Sequence, residues 1–361
     1  MFNMIKTDEI RKYLDKYILV THKLSSKLKV ALVSSVQNET KTLNDFPEEY
    51  NSIITSYMSR KDIDELIRLF RENGIYVELF SDIERFFKQL YSENWECNSV
   101  FETSPQGIAK GKDAILPAFC DTIGLLHFGS DAASNLRVVN KYNWFCVLMQ
   151  NNIPVPKTFF YNHGWNITPD TFPLLLKLNE ECASIGLSRD SLIKSDPESL
   201  NAQAQKLQTA YNEPVIGQQF IRGYEAEVPI ISNRTKAIIL PAVGLSRNGR
   251  RLLDDYFFDY DTIYDDGYGV YSLDDNTELT AKLYSICDKV IKILDLKGHF
   301  RIDFRISSNG DPYVTDINND PTIGWESSFL YSVKSLGYNE KDLLAIILGS
   351  YLINQTNIEY L

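Results

Sequence analysis

Two short apolar runs near the end of the chain carry oxygen-bearing side chains at a spacing that suits metal binding. Asp303 lies in the first run, and Asp316 and Asn318 lie in the second. Because side chains at i and i+2 of a strand point to the same face, Asp316 and Asn318 can converge, and a paired strand brings Asp303 beside them. The polar turn at 307–311 is typical of a hairpin that joins two such strands.

This hairpin would present hard oxygen ligands with no Cys or His among them. Such donors suit Mg²⁺, which keeps several waters and is usually completed by substrate phosphates. Arg301 precedes Asp303 by two residues, so it can share that face and offer a fork of donors to an oxyanion. Taken alone, the pattern is equally consistent with an acidic hairpin whose charged face is solvated.

Composition limits the classes of protein that the chain can represent. A chain of 361 residues with 44% hydrophobic residues is long enough for two or three globular subdomains. The net charge of −11, with no Lys/Arg-rich block, argues against nucleic acid as the main partner. No apolar run approaches the length of a membrane span. Five scattered cysteines without a Cys-x-x-Cys pair indicate free thiols and a cytoplasmic location.

The N-terminal third has the pattern of an α/β unit. A short strand at 27–33, an amphipathic helix at 62–73 and a second strand at 75–80 predict a parallel sheet. The segment 246–272 has no clear period and is predicted to be a lid. Similar patterns predict a helix at 132–151, strands at 174–178, 214–221, 226–231 and 237–243, and helices at 198–211, 276–294 and 342–352.

Several short motifs follow one another in an order that resembles a known family. They are Gly129-Ser130-Asp131, Asn140-Lys141, Ile153-Pro154-Val155-Pro156, Leu176-Lys177, the loop 181–186, Gly223-Tyr224-Glu225, Arg301-Ile302-Asp303 and Asp316-Ile317-Asn318-Asn319-Asp320-Pro321. Over about residues 100–350 the chain resembles the D-alanine–D-alanine ligase branch of the ATP-grasp carboxylate–amine ligases. The resemblance implies a fold of the α/β and α+β classes. An N-terminal α/β (pre-ATP-grasp) domain at 1–130 would precede a central ATP-grasp subdomain at 131–215 and a C-terminal subdomain at 216–361, which carries the metal site and the lid.

The resemblance also implies which residues bind ATP. Lys141 and Lys177 match the lysines that hold the phosphates, Glu181 begins the small-residue loop above them, and Glu225 matches the carboxylate that takes the ribose hydroxyls. The segment 218–221, called the hinge below, matches the backbone that reads adenine. The cofactor-binding set is therefore Lys141, Lys177, Glu181, Gln218, Gln219, Phe220, Ile221 and Glu225. A surface lysine at 141 and a turn carboxylate at 225 remain alternatives, whereas Lys177 interrupts an apolar strand, where an uncompensated charge would be costly.

Metal, catalytic and substrate roles follow from the same resemblance. Asp303, Asp316 and Asn318 match the Mg²⁺ ligands, with Mn²⁺ as an alternative ion. Arg301 matches the arginine that stabilises the phosphorylated intermediate, and the lid residue Tyr264 and the loop residue Ser184 complete the catalytic set. Two further residues match substrate contacts: Ser327, for the acceptor's carboxylate, and Glu39, for the first substrate's ammonium group.

The implied reaction joins two amino acids, or an amino acid and an amine, through an acylphosphate with release of ADP. Ile263 stands where the family has a lysine, and Thr322 stands where it has a glycine. These departures leave three alternatives open: a D-alanine–D-alanine ligase of cell-wall synthesis, a ligase with a larger metabolite or peptide acceptor, and a non-catalytic ATP-binding relative. The expected partners are small amino acid or amine substrates, and the family implies a homodimer.

Overall fold

The computed structural model describes most of the chain. The described residues are 7–40, 57–104, 111–161, 171–181, 184–233, 235–259, 262, 267–273, 276–324 and 327–353. They form three sheets, each built from its own stretch of sequence.

The first sheet is the predicted N-terminal α/β unit. Helix α1 (Thr7–Leu24) precedes the strands β1 (Lys29–Ser34), β2 (Tyr76–Phe80), β3 (Ser99–Thr103) and β4 (Leu126–Phe128), with helices α2 (Arg60–Glu72), α3 (Ile83–Leu90) and α4 (Ile115–Ile123) between them. The strands pair in the order β2-β1-β3-β4 and are parallel throughout. Helix α2 begins where the Ser59 side chain accepts a hydrogen bond from the Asp62 amide, and its apolar stripe packs on the sheet.

The central unit is a small antiparallel sheet with helices before and inside it. Its elements are α5 (Ala132–Val139), α6 (Lys141–Gln150), β5 (Thr158–Phe160), β6 (Leu174–Leu178), β7 (Leu192–Ile193), α7 (Pro197–Tyr211) and β8 (Val215–Gln219), with sheet order β5-β8-β6-β7. The prediction of one helix at 132–151 was wrong. Asn140 leaves the helical region at φ −89° and ψ 99°, and its side chain caps α6 by accepting from the Asn143 amide. The break places Lys141 in the first turn of a new helix.

The third sheet contains the predicted hairpin. Its strands are β9 (Gly223–Ser232), β10 (Ala237–Ile239), β11 (Val243–Arg247), β12 (Tyr268–Ser272), β13 (Gly298–Ser307) and β14 (Pro312–Asn318), in the order β12-β11-β9-β13-β14 with β10 also on β9. Helices α8 (Thr277–Leu294), α9 (Ser328–Ser335) and α10 (Glu340–Leu352) complete the chain.

Two predictions in this part of the chain were wrong. The strand predicted at 237–243 is split into β10 and β11 around Pro241, because a proline cannot donate to the ladder. The segment 246–272, predicted to be irregular, begins in β11 and ends in β12, which pair with each other. Only its middle part therefore lacks strand structure among the residues described.

The two ends of the described chain pack together. Helix α1 lies against α10, and a Cβ at Gly349 would fall 2.1 Å from the Tyr17 carbonyl oxygen. The glycine therefore permits this close approach, which gives residues 7–24 a structural role. Within the described ranges, no helix combines the length and apolarity needed to cross a bilayer.

Candidate active site

One face of the third sheet collects the polar residues of three neighbouring strands. In the ladder, Asp303 lies opposite both Asp316 and Glu227, Arg301 lies opposite Asn318, and Arg305 lies opposite Glu225. Opposed residues share a face, as do residues i and i+2. We call this set the polar face: Glu225, Glu227, Arg301, Asp303, Arg305, Asp316 and Asn318. The opposite face, with Ile302 and Phe304, is buried in a hydrophobic core.

The expected juxtaposition of the predicted metal ligands is present in the structure. The hairpin turn lies between Ser307 and Pro312, and the register brings Asp303 directly beside Asp316. A register shift after Asp303 adds Thr315 as an extra residue in β14, and the Thr315 hydroxyl donates to the Asp303 carbonyl at 3.2 Å. Two carboxylates opposite each other repel unless a cation lies between or beside them.

Arg301 supplies one of these cations. Its Nε and Nη2 donate to the two carboxylate oxygens of Asp303 at 2.6 and 3.0 Å, and Nη2 lies 3.2 Å from Oε1 of Glu227. Burial raises the pKa of Asp303, and the guanidinium opposes that shift. Burial likewise raises the pKa of Glu227, against the same guanidinium, to about 7. Oε2 of Glu227 is buried and has no hydrogen-bond partner among the described residues.

Both predicted phosphate lysines converge on β14 from the central unit. Lys141 is 7% exposed, and its Nζ lies 3.3 Å from Oδ1 of Asp316. Lys177 Nζ donates to the Thr315 carbonyl at 3.3 Å, and burial lowers the pKa of this lysine. These contacts exclude the alternative that Lys141 is an ordinary surface lysine. They place two ammonium groups beside the carboxylates of the hairpin.

The hinge lies at the junction between the central and third sheets. The amide of Gln219 donates to the Lys157 carbonyl and that of Phe220 to the Pro173 carbonyl, both at 2.8 Å. The Ile221 carbonyl accepts from Arg305 Nε at 2.8 Å. Hydrogen bonds to the central unit and from β13 thus fix the backbone of the hinge, so its shape is set before a ligand binds.

Glu225 is paired with Arg305. Nη1 of Arg305 donates to Oε1 of Glu225 at 2.6 Å, and the guanidinium carbon lies 4.6 Å from the centre of the Phe220 ring. The same guanidinium donates to the carbonyls of Asp254 and Tyr256. Glu225 lies in β9 and is paired with a buried guanidinium, which argues against the alternative of a turn carboxylate without a function.

The remaining predicted residues lie in three different places. Glu181 is 3.7 Å from Lys112 Nζ, and burial raises the pKa of its carboxyl group. Ser184 has φ +57°, and its carbonyl accepts from the Leu187 amide. Ser327 is buried and caps α9, with its Oγ accepting from the Leu330 amide at 3.1 Å.

Glu39 is bound in the N-terminal unit instead of on the polar face. Its two carboxylate oxygens accept from the guanidinium of Arg60, and this contact lowers the pKa of Glu39. Several residues that the sequence analysis names lie outside the described residues, among them Tyr264 and Ile263 of the predicted lid.

Sequence reasoning missed Glu227 and Arg305, which complete the polar face. A weak signal was available, because Glu225 and Glu227 alternate along one strand, as do Arg301, Asp303 and Arg305 along another. The alternation shows that these residues share a face. It does not show which residue of one strand pairs with which residue of the other.

The structure places this arrangement in a known fold. The D-alanine–D-alanine ligase of Bacillus anthracis superposes with a TM-score of 0.66 at 18% sequence identity, covering 90% of this chain and 98% of that one. The VanG D-Ala:D-Ser ligase of Enterococcus faecalis superposes with a TM-score of 0.63 at 15% identity, covering 90% and 99%. The protein therefore has the predicted ATP-grasp fold with an N-terminal α/β domain.

Sequence comparison identifies the family. Residues 148–349, more than half of the chain, match the family model described as the D-ala D-ala ligase C-terminus. The D-alanine–D-alanine ligase of Coprothermobacter proteolyticus is 26% identical over 291 residues, 78% of this chain and 90% of that protein. That of Thermotoga maritima is 29% identical over 255 residues, 68% and 77%. The chain belongs to this family, which confirms the prediction and makes the protein an ATP-dependent ligase by class.

Proposed function

We propose that this protein joins two amino acids in an ATP-dependent, ADP-forming reaction, with D-alanine as the first substrate to test. The observation that carries the proposal is the meeting of Lys141 and Lys177 with the polar face at β14. Two cations of the central unit, Lys141 on helix α6 and Lys177 on strand β6, lie beside two carboxylates of the third sheet, and this combination suits a nucleoside triphosphate and its metal ion. The relatives' names supply D-alanine, and the D-Ala:D-Ser ligase among the structural neighbours shows that the second amino acid differs within this fold.

The donor set of the polar face fits Mg²⁺. Asp303, Asp316 and Asn318 offer hard oxygen donors, and a divalent cation held by them would offset the repulsion between the two opposed carboxylates. No cluster of three or more His, Cys, Asp or Glu side chains able to hold a metal occurs in the described part of the chain, so phosphate oxygens would have to complete the coordination. When bound, Mg²⁺ would neutralise charge on the transferring phosphoryl group.

The reaction would proceed in two steps. A carboxylate oxygen of the first amino acid attacks the γ-phosphorus of ATP, and the bond to the bridging oxygen of ADP breaks. The amine nitrogen of the second amino acid then attacks the acyl carbon, and the C–O bond to phosphate breaks while the nitrogen loses a proton. Lys141, Lys177 and Arg301 are fixed cations that stabilise charge on the phosphoryl group as it is transferred in the first step and as it leaves as phosphate in the second.

Ser327 and Glu39 are the residues proposed to contact the substrates. The Ser327 hydroxyl is committed as an acceptor to the α9 cap, and its proton remains able to donate to a substrate carboxylate. Glu39 would have to share its carboxylate between Arg60 and a substrate ammonium group. A homodimer and a cytoplasmic location stay predictions. The free thiols of Cys97, Cys120, Cys146 and Cys287 are consistent with a reducing compartment.

The test measures phosphate release from ATP and Mg²⁺ with D- and L-amino acids, singly and in pairs, together with mass spectrometry of the products. We expect phosphate release to depend on the amino acids and to yield one dipeptide per phosphate. A control variant is Asp311→Asn, which removes a charge in the hairpin turn outside the polar face and should retain the rate of the unaltered protein. Binding of ATP without phosphate release for any amino acid or amine would overturn the proposal in favour of a non-catalytic relative.

A further inference from the structure

A small cavity lies at the carboxyl ends of strands β1, β2 and β3 in the N-terminal sheet. Its walls include residues from the end of each strand: Ser34, Ser35, Ser81, Asp82, Glu102 and Ser104. The chain passes from β1 to β2 on one side and then to β3 on the other side of β1. In open α/β sheets, ligands bind outside the carboxyl ends of the strands at such a reversal. The volume of about 10 Å³ has room for one group of the size of water or ammonium.

Glu102 brings a carboxylate to this cavity without a counter-charge. It lies opposite Val33 in the β1–β3 register, on the face that packs on the apolar core around Phe80. Burial raises the pKa of Glu102, and the charged groups that act on it, Asp320 and Asp113, are acids that raise it further. No Lys, Arg or His of the described ranges forms an ion pair with Glu102. A cationic ligand would stabilise a carboxylate in these surroundings.

Ser35 supplies a second unsatisfied group in the cavity wall. The residue is 3% exposed, and its Oγ has no hydrogen-bond partner in the part of the chain that the structure describes. The neighbouring Ser34 Oγ accepts from the Thr103 hydroxyl at 2.8 Å. Asp82 is committed as well, because its Oδ1 caps helix α3. This leaves Ser35 Oγ and the Glu102 carboxylate to accept hydrogen bonds from a ligand.

The cavity adjoins the candidate active site. Ser104 of the cavity wall donates its amide to Oδ2 of Asp320 at 3.4 Å, and Asp320 lies shortly after the proposed metal ligand Asn318. Glu39, which is proposed to bind the ammonium group of the first amino acid, lies in the loop that begins at Ser35. A group in the cavity is therefore reached from the first substrate.

We propose that the cavity binds an ammonium group at the end of the first amino acid's side chain, so that this substrate is a diamino acid. The inference rests on the proposed function, which supplies an amino acid as the ligand. Glu39 takes the α-ammonium group, and Glu102 and Ser35 take the second one. An ammonium group is a compact donor of three hydrogen bonds, and it supplies the counter-charge that Glu102 lacks. A water molecule in the cavity would satisfy Ser35 and leave Glu102 without a cation.

The test compares amino acids that differ only in a terminal ammonium or methyl group. The pairs are 2,3-diaminopropionate with 2-aminobutyrate, 2,4-diaminobutyrate with norvaline, and ornithine with norleucine, each as both enantiomers. Equilibrium binding is measured on the full-length protein with Mg²⁺ and a non-hydrolysable ATP analogue, and phosphate release from ATP is measured in parallel. We expect the ammonium member of at least one pair to bind at least about tenfold more tightly than its methyl partner.

Two variants and a control connect this preference to the cavity. Glu102→Gln keeps the size of the side chain and removes its charge, so the affinity ratio should fall to near one while the methyl partner binds as before. Ser35→Ala should lower the ratio about threefold, and it tests the cavity independently if Glu102→Gln does not fold. Glu84→Gln, the same change at an exposed position of α3, should leave the ratio unchanged.

Ammonium chloride is the probe for a free ion in the cavity. If it strengthened norvaline binding to the level of 2,4-diaminobutyrate, the cavity would bind a free cation and the inference would be wrong. Equal or undetectable binding of both members of every pair would also overturn the inference, as would a preference that Glu102→Gln leaves unchanged. In those cases phosphate release with other amino acids would keep the ligase proposal. Selective binding without any phosphate release would overturn the ligase proposal and keep the assignment of the cavity.

Discussion

Replacement of Arg305 by methionine tests how the hinge and the polar face are held together. Arg305 is 5% exposed, and its guanidinium donates to the Ile221 carbonyl at 2.8 Å, the Asp254 carbonyl at 2.8 Å, the Tyr256 carbonyl at 3.0 Å and Oε1 of Glu225 at 2.6 Å. Methionine fills most of the same volume but offers no donor. The change therefore isolates the loss of charge and hydrogen bonds.

The magnitude follows from what the substitution leaves behind. The Glu225 side chain is 17% exposed, so it would become a largely buried carboxylate without its counter-charge. Removing one partner of a buried ion pair costs about 3–5 kcal/mol. The hydrogen bonds to the carbonyls of Asp254 and Tyr256 are lost as well, and each contributes less than the buried ion pair. The expected loss in free energy of unfolding is about 3–5 kcal/mol, and Arg305→Lys, which keeps the charge, should lose about 1–3 kcal/mol.

The assay is urea unfolding followed by circular dichroism, with ATP affinity measured in parallel. A matched control is Arg222→Met, because Arg222 pairs with Asp255 where the two side chains are 59% and 44% exposed. That exposed pair should contribute no more than about 1 kcal/mol. We expect Arg305→Met alone to weaken ATP binding at least about tenfold, since the hinge carbonyl and Glu225 both lose their anchor. An unfolding free energy within about 1 kcal/mol of the Arg222 variant would refute this reasoning.

Three further predictions concern metal binding, pH dependence and substrate binding. Asp316→Asn keeps the side-chain size and removes the charge, so phosphate release should fall at least about 100-fold while ATP binding without Mg²⁺ persists; an unchanged rate would exclude Asp316 as a ligand. Burial, together with repulsion from Glu181, raises the pKa of Glu213 from 4.5 to about 7. The Glu213 carboxyl group therefore contributes its full stability below pH 4.5, and this contribution is lost as the pH rises through 7. The free energy of unfolding of Glu213→Gln, relative to that of the unaltered protein, should increase by about 3 kcal/mol between pH 4 and 8. A difference between the two proteins that does not change with pH would contradict this. Glu39→Gln breaks an exposed pair with Arg60 and should change stability by less than about 1 kcal/mol; it should raise the KM of the first amino acid at least about tenfold, and an unchanged KM would remove Glu39 from the substrate set.

The sequence by itself determined the parts of this protein that depend on local pattern. The alternation around Asp303 and Asp316, with a polar turn between them, was sufficient to predict two strands and their pairing, because a hairpin brings together residues that are close in sequence. A lysine inside the apolar strand at 174–178 was sufficient to predict that its ammonium group meets compensating polar groups, because uncompensated buried charge is costly, and its Nζ donates to the Thr315 carbonyl beside Asp316. The order of short motifs gave the family, which the match over 148–349 confirms.

Only the tertiary structure decided the long-range pairings. Glu227 with Arg301, Glu225 with Arg305 and Lys141 beside Asp316 are contacts between segments far apart in the chain. Periodicity tells which face of a strand a side chain occupies, whereas the partner depends on strand order and register across the sheet. The break at Asn140, which places Lys141 at a helix start, was likewise invisible in the apolar pattern, because the capping interaction satisfies the backbone without changing that pattern.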